Sequence, residues 1–269
     1  MHRAWWLCLN LVLGHCLALA AVAGGGGVGE PEWAPLWLHY SSVSPDFGRQ
    51  LGPLSVQCCA SGQTCGRVLH RACDELRRGL KGMLQQETLS DSTHKNFLED
   101  VVGIVKLQLE YDGAGAGEGE TDIWPPSPAK EWFRIRASPC EDWAERSALK
   151  SSGKCFHLSA ASERGALYAA FRFLHHIRVE NASVLSLSFE VFSKPSSPLR
   201  MWNLWDNVDG TIERGYAGLS VFNWSTLPTL LPRYVDYARL LASVGINAIV
   251  WNNVNACGNG NENILRSGE

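Results

Sequence analysis

Apolar positions along this chain follow two rhythms that meet near Pro198. Before that point, short alternating or continuous apolar runs read as strands. They are Trp33 to Tyr40, "VVGIVKLQLEY" from Val101, "EWFRIRAS" from Glu131, "GKCFHLSA" from Gly153 and "SVLSLSFEVFS" from Ser183. Between them lie two helical patterns. Gly62 to Leu84 places Val68, Leu69, Cys73, Leu76 and Leu80 at roughly helical intervals. In "SERGALYAAFRFLHHIRVE", Ser162 supplies an N-cap and Ala166, Ala170, Phe173, Leu174 and Ile177 form one face. "DGAGAGEGETD" is Gly-rich and acidic, has nothing to bury and is expected to be a mobile surface loop. The first region therefore predicts a strand-rich mixed α/β domain, closed by the linker "KPSSP" from Lys194 to Pro198.

Beyond the linker the rhythm changes. "LRMWNLW" predicts a compact apolar strand, and "LLPRYVDYARLLASVGIN" an amphipathic helix. Tyr234, Tyr237, Ala238, Leu241 and Val244 lie along one side of that helix, and Gly245 stands where a C-terminal cap belongs. "AIVWNNV" then predicts a second buried strand. Strand, connector, helix, glycine and strand make the β/α unit of a parallel sheet, whose commonest enzymatic version is a barrel. The connector "WDNVDGTIERGYAG", Trp205 to Gly218, carries five charged or amide side chains and three glycines in fourteen positions. A crossover needs only one or two turn residues. Barrel active sites are built just past the C-terminal ends of strands, and both this cluster and Asn253 lie there.

Composition narrows the choice. The chain has 269 residues, 45% hydrophobic and 19% charged, with a net charge of -3, which suits one large or two ordinary globular domains. No Lys/Arg cluster is present to draw in phosphates, so nucleic acid is set aside as a partner. An apolar run from Trp5 to Ala20, followed by Ala21-Val22-Ala23, predicts a secretory signal peptide over residues 1–23, with no membrane contact after its cleavage. The sequons at Asn181 and Asn223 are compatible with glycosylation in that compartment. Outside the signal stand Cys58, Cys59, Cys65, Cys73, Cys140, Cys155 and Cys257. Their spacing gives no C-x-x-C ligand pair, so buried thiols with one or two disulfides are expected, and no metal or cofactor. His175 and His176 are adjacent on a helix and point apart, which suits packing better than ligation. Asp206, Asp209 and Glu213 lack the alternate spacing of a calcium loop.

"LWDNVDGTIERGYAGLSVF" and "DYARLLASVGINAIVWNNVNA" together resemble the start of the catalytic barrel of xylan α-glucuronidases, glycoside hydrolase family 67. "LWLHY", "EWFRIRA" and "ERGALYAAFRFLHHI" resemble motifs of that family's N-terminal domain more faintly. The resemblance implies an N-terminal mixed α/β domain over residues 24–193, the linker 194–198, and over 199–269 the first one or two β/α units of an incomplete (β/α)8 TIM barrel. It implies an inverting hydrolase that removes α-1,2-linked 4-O-methylglucuronic acid from xylo-oligosaccharides, the partners being such glucuronoxylan fragments. The family's acid and base sit on later barrel strands, so the 269 residues are expected to be inactive alone. Trp205 and Val254 resemble the apolar wall beside the sugar ring. Asp206, Asn207, Glu213 and Arg214 then either bind sugar hydroxyls or tie the connector to its neighbours, with Glu213 and Arg214 expected first to pair with each other. The competing expectation is a non-catalytic secreted protein that binds carbohydrate or a partner through its N-terminal domain.

Overall fold

A computed structural model of the protein describes residues 38–58, 66–85, 103–110, 131–140, 154–207, 209–227 and 229–252. In chain order the elements are α1 (Pro45–Leu51), β1 (Leu54–Cys58), α2 (Arg67–Leu84), β2 (Gly103–Leu109), β3 (Phe133–Pro139), β4 (Lys154–Ala160), α3 (Glu163–Arg178), β5 (Glu190–Ser193), β6 (Met201–Trp205), α4 (Pro232–Ser243) and β7 (Ala248–Asn252). The described residues separate into two compact units: Tyr40–Arg200 with Ala242–Gly245, and Met201–Leu241 with 246–252.

The first unit is built on a five-stranded mixed sheet in the order β1-β2-β4-β3-β5. β1, β2 and β4 run parallel, whereas β3 pairs antiparallel with both β4 and β5. One sheet face carries the core. Val56, Val105, Leu107, Phe156, Leu158 and Ile135 point into a single cluster with Leu76 and Leu80 of α2 and Phe173, Leu174 and Ile177 of α3. Close packing needs small residues where elements cross. A Cβ on Gly79 of α2 would sit 2.6 Å from Leu174 Cδ2 of α3, and Phe156 and Phe173 meet with ring centroids 4.9 Å apart. Disulfides Cys58–Cys73 and Cys140–Cys155 tie β1 to α2 and the end of β3 to β4.

Helix starts in this unit are made in different ways. α1 is capped by Ser44, which accepts the Phe47 N–H, and Pro45 follows where a helix needs no amide donor. α3 starts, as expected, at Ser162, whose hydroxyl accepts the Gly165 N–H at 3.2 Å. α2 has no cap of its own, because Gly66 lacks a side chain. Glu163 of α3 serves instead, its carboxylate accepting the Val68 and Leu69 N–H groups at 3.1 and 3.3 Å. A Cβ on Gly66 would fall 1.6 Å from Glu163 Oε1, so that glycine keeps the space open.

Two sequence expectations are corrected here. The segment from Ser183 is no continuous strand: Ala182–Leu185 forms a 3-10 turn opened by Asn181, and only Glu190–Ser193 joins the sheet. Serines at 183, 186 and 188 bond locally, Ser186 Oγ accepting the Ser188 N–H at 3.1 Å, which competes with a strand ladder. Leu38–Tyr40, the described part of the first predicted strand, is not extended into the sheet. α1 and β1 were not predicted, being too short to show a period. The signal segment, the acidic Gly-rich loop, Cys59, Cys65 and Cys257 lie outside the described residues.

In the second unit β6 and β7 pair in parallel, in register from Met201↔Ala248 to Trp205↔Asn252. α4 ends as predicted at Gly245 (φ 80°), the Gly245 and Ile246 N–H groups closing back on the Ala242 and Leu241 carbonyls. Burial differs from expectation. Tyr234, Leu240 and Leu241 are the buried residues of α4, while Ala238 and Val244 are exposed. Met201, Trp205, Ile249 and Val250 also remain open to solvent, so the two strands are not the buried pair that was expected. A two-stranded sheet with one helix can cover only part of its surface. No helix among the described residues is long and apolar enough to cross a membrane.

Candidate functional site

The β6–β7 register brings the carboxyl ends of both strands, Trp205 and Asn252, side by side. The connector after β6 is folded tightly there. Asp206 and Ile212 form an isolated antiparallel bridge, and Thr211 and Leu219 form another. Gly210, Gly215 and Gly218 take φ values of 87°, 89° and 111°, which side chains other than glycine's seldom adopt. Glu213 adopts φ 54° without being glycine. Its backbone is held on both sides: its N–H donates to the Trp205 carbonyl at 2.7 Å, and its carbonyl accepts Asn207 Nδ2 at 2.8 Å.

Asp206 and Asn207 are 2% and 3% exposed. Asp206 accepts Ser220 Oγ at 2.6 Å on one oxygen and the Trp224 indole N–H at 2.8 Å on the other. Burial pushes its carboxyl pKa up, opposed by the hydrogen bonds from Ser220, Trp224 and the Asn207 amide. A buried acid with a raised pKa invites a catalytic reading. With both oxygens engaged inside the loop, Asp206 instead acts as its hub. Asn207 also spends its amide internally, on Thr211 Oγ1 at 3.0 Å and on the Glu213 carbonyl. These hydrogen bonds of the pair run within the connector and on to Ser220 and Trp224 just after it. Asp209 turns back on Thr211, accepting its N–H at 2.9 Å and its hydroxyl at 2.7 Å, which lowers the Asp209 pKa.

Beneath the connector lies an aromatic cluster that sequence reading did not assign to the site. Phe222 packs on Tyr234 and Tyr237 of α4, with ring centroids 5.0 and 5.9 Å away, and on Trp224 at 6.5 Å. The Tyr234 hydroxyl accepts the Asn223 N–H at 2.7 Å. The Tyr237 hydroxyl is pushed up to about 12, chiefly by burial. Ser220 and Trp224 were missed because a lone hydroxyl and a lone indole carry no period. Their signal was proximity, two and six residues past Gly218.

The side chains presented outward are fewer. Trp205 is 36% exposed at the end of β6. Arg214 is exposed. The Glu213 carboxylate takes the Tyr216 hydroxyl, which raises the tyrosine's pKa. Asn253 and Val254 lie outside the described residues. Asn181 and Asn223 each open a 3-10 turn. Asn181 Oδ1 accepts the Ser183 N–H and its amide nitrogen meets His176 Nδ1 at 2.9 Å, while Asn223 Oδ1 accepts the Ser225 N–H and hydroxyl.

Comparisons with known proteins bear on this connector directly. Residues 180–267 match the model of the glycosyl hydrolase family 67 middle domain. Alpha-glucuronidase A of Emericella nidulans is 33% identical over 264 residues, covering 95% of this chain and 27% of that protein. A protein named probable alpha-glucuronidase A from Aspergillus niger (strain CBS 513.88) is 43% identical over 222 residues, 82% of this chain and 23% of its own length. The chain thus spans about a quarter of the length of these relatives. A solved family GH115 4-O-methyl-alpha-glucuronidase with specificity for decorated arabinogalactans aligns at TM-score 0.43 and 15% identity, over 74% of this chain and 25% of that one, too slight a likeness to argue from. On its sequence matches, which run from the N-terminal unit through the pinned connector into β7, this chain belongs to glycosyl hydrolase family 67, a family of glycosidases.

Proposed function

We propose that this chain supplies the N-terminal domain and the first β/α units of a secreted α-glucuronidase that removes α-1,2-linked 4-O-methylglucuronic acid from xylo-oligosaccharides with inversion. In this reading residues 24–193 form the first domain, 194–198 the linker, and the residues from 199 on begin a TIM barrel. The observation that carries it is the β6 connector: a tightly folded polar loop at the carboxyl ends of two parallel strands, pinned from within by the buried Asp206 and Asn207, with Trp205 at the end of β6. Trp205 offers an aromatic face to the weakly polar C–H side of a pyranose, with Val254 as its neighbour in that wall. Arg214 offers a planar fork for the uronate carboxylate, and Glu213, Asn253 and the rest of the connector order the rim. Inversion requires a protonated carboxyl at the leaving oxygen and a second carboxylate far enough away, roughly 6.5–9.5 Å, to activate water between them. Both come from outside these 269 residues, so Asp206 and Glu213 take no part in proton transfer. The two disulfides support an oxidising compartment, with glycosylation at Asn181 and Asn223.

A graft tests the reading. Residues 180–267 replace the matching segment of the full-length Emericella nidulans relative, and release of 4-O-methylglucuronic acid from aldouronic oligosaccharides is followed. The graft is expected to turn over, its Trp205→Ala form to lose about tenfold in kcat/KM through weaker sugar contact, and the isolated chain to release nothing. Turnover by the isolated chain, or an unaltered rate in the Trp205→Ala graft, sinks the assignment.

A further inference from the structure

The five-stranded sheet has a second face, whose buried apolar residues are Ile104, Cys140 and Cys155, and no described helix belongs to that cluster. Strand register arranges that face in rows. Gln57 pairs with Lys106, Lys106 with His157, His157 with Arg136 and Arg136 with Glu190, one continuous line across all five strands. Two permanent cations therefore flank a histidine on neighbouring strands, where like charges face each other and repel. The histidine's pKa is lowered by burial and then by Lys106 and Arg136, with Glu110 opposing.

The next row adds a different chemistry. Arg134 stands opposite Phe192, with its guanidinium carbon 5.4 Å from the ring centroid and its Nε 3.6 Å from Glu190. Phe192 is 55% exposed and meets the Trp132 ring at 6.1 Å. The exposed Phe192, the half-buried Trp132 and the cations Lys106 and Arg136 thus share one side of the sheet, with Glu190 at the end of the row. Strand spacing and rise separate the Phe192 and Arg136 backbones by roughly 8 Å, comparable with one to two pyranose rings.

We infer that this sheet face is a second saccharide surface, distinct from the β6 connector, which takes uronate-bearing oligosaccharides. A sugar ring lies on Phe192 beside Trp132, and a carboxylate meets Arg136 and Lys106. Cations account for an anion, and the flat aromatic pair accounts for a ring that carries it. The choice of a sugar over other ringed anions rests on the α-glucuronidase reading above.

The test is a binding titration on the purified chain by isothermal calorimetry. Three probes are used: a glucuronate-decorated xylo-oligosaccharide, an oligogalacturonate and neutral xylohexaose. Both acidic probes are expected to bind, with xylohexaose at least about tenfold weaker, and Arg136→Gln and Phe192→Ala are each expected to weaken acidic binding about tenfold. Val179→Ala, an exposed position just past α3, should leave it unchanged. Both altered side chains are exposed, and near-UV circular dichroism verifies that each variant keeps its fold. Equal binding of acidic and neutral probes, no binding, or undiminished acidic binding in Arg136→Gln or Phe192→Ala overturns the inference. Acidic binding together with an inactive graft would leave this surface standing and remove the α-glucuronidase reading instead.

Discussion

Phe156, Leu158, Phe173 and Ile177 are sealed between sheet and helices in the Tyr40–Arg200 unit, whereas Met201, Ile249 and Val250 on β6 and β7 keep much of their surface in water. The same kinds of residue, valine, isoleucine and aromatics, serve both regions. What differs is the number of layers available to cover them. Five strands with helices on one face close a single core. Two strands with α4 cannot, and order in that unit is concentrated in the connector, where the buried Asp206 holds Ser220 and Trp224 beside the cluster of Phe222, Tyr234 and Tyr237. One region is held by apolar burial and the other largely by satisfied polar groups, so substitutions of similar size should act very differently in the two.

The largest effect should come from Phe173→Ala. It empties a fully buried site in the first unit and is expected to cost about 3–5 kcal/mol in urea unfolding. A cost under about 1 kcal/mol would show that this core is not the closed cluster described.

Next is acid. His176 is buried against Phe189, and burial, aided by the nearby Arg172 and His175, lowers its pKa from 6.5 to about 4. The folded state holds the ring neutral while the unfolded chain protonates, so this contribution is complete above pH 6.5 and is lost as pH falls from 6.5 to about 4. The loss should reach about 2–3 kcal/mol. His157 and His175 are lowered too and act in the same direction. Unfolding curves across that range should therefore flatten in part, not wholly, in His176→Gln. An unchanged slope in the variant would move the effect to other groups.

In the connector, Asp206→Ala removes the acceptor of the buried Ser220 hydroxyl and of the half-buried Trp224 indole N–H, an expected loss of about 2 kcal/mol. Hydrogen exchange should localise it, with the Glu213 and Ser220 amides losing protection and those of β4 keeping theirs. Faster exchange in β4 would mean the two regions are not separately stabilised. The smallest effect should be Ile249→Ala on β7, whose side chain is already 36% exposed: a loss below about 1 kcal/mol in the same unfolding assay. A Phe173-sized loss there would erase the contrast.

Long periodic segments were legible without coordinates. α3 begins at Ser162 and buries Ala166, Ala170, Phe173, Leu174 and Ile177, as its spacing implies. β2, β3 and β4 lie within the segments that alternation marks, and Gly245 ends α4 where expected. The prominence of the connector was legible too, since glycines and amides crowd it beyond any turn's need. The roles within it were not. Asp206 and Asn207 look like ligand-binding groups in a line of letters, and their occupation by Ser220, Trp224, Thr211 and the Glu213 carbonyl depends on how the loop folds back.

The sequence by itself determined the longer elements, α2, α3 and α4 with β2, β3, β4, β6 and β7, and the lineage of the β6–α4–β7 block, because dihedral preference, side-chain period and capping act over a few neighbouring residues. Tertiary structure alone decided the sheet order, the capping of α2 by a glutamate 95 positions from Val68, the disulfide partners and the row of charges across five strands. Each of those joins residues far apart along the chain, and their pairing energy exists only once the backbone has brought them within a few ångströms.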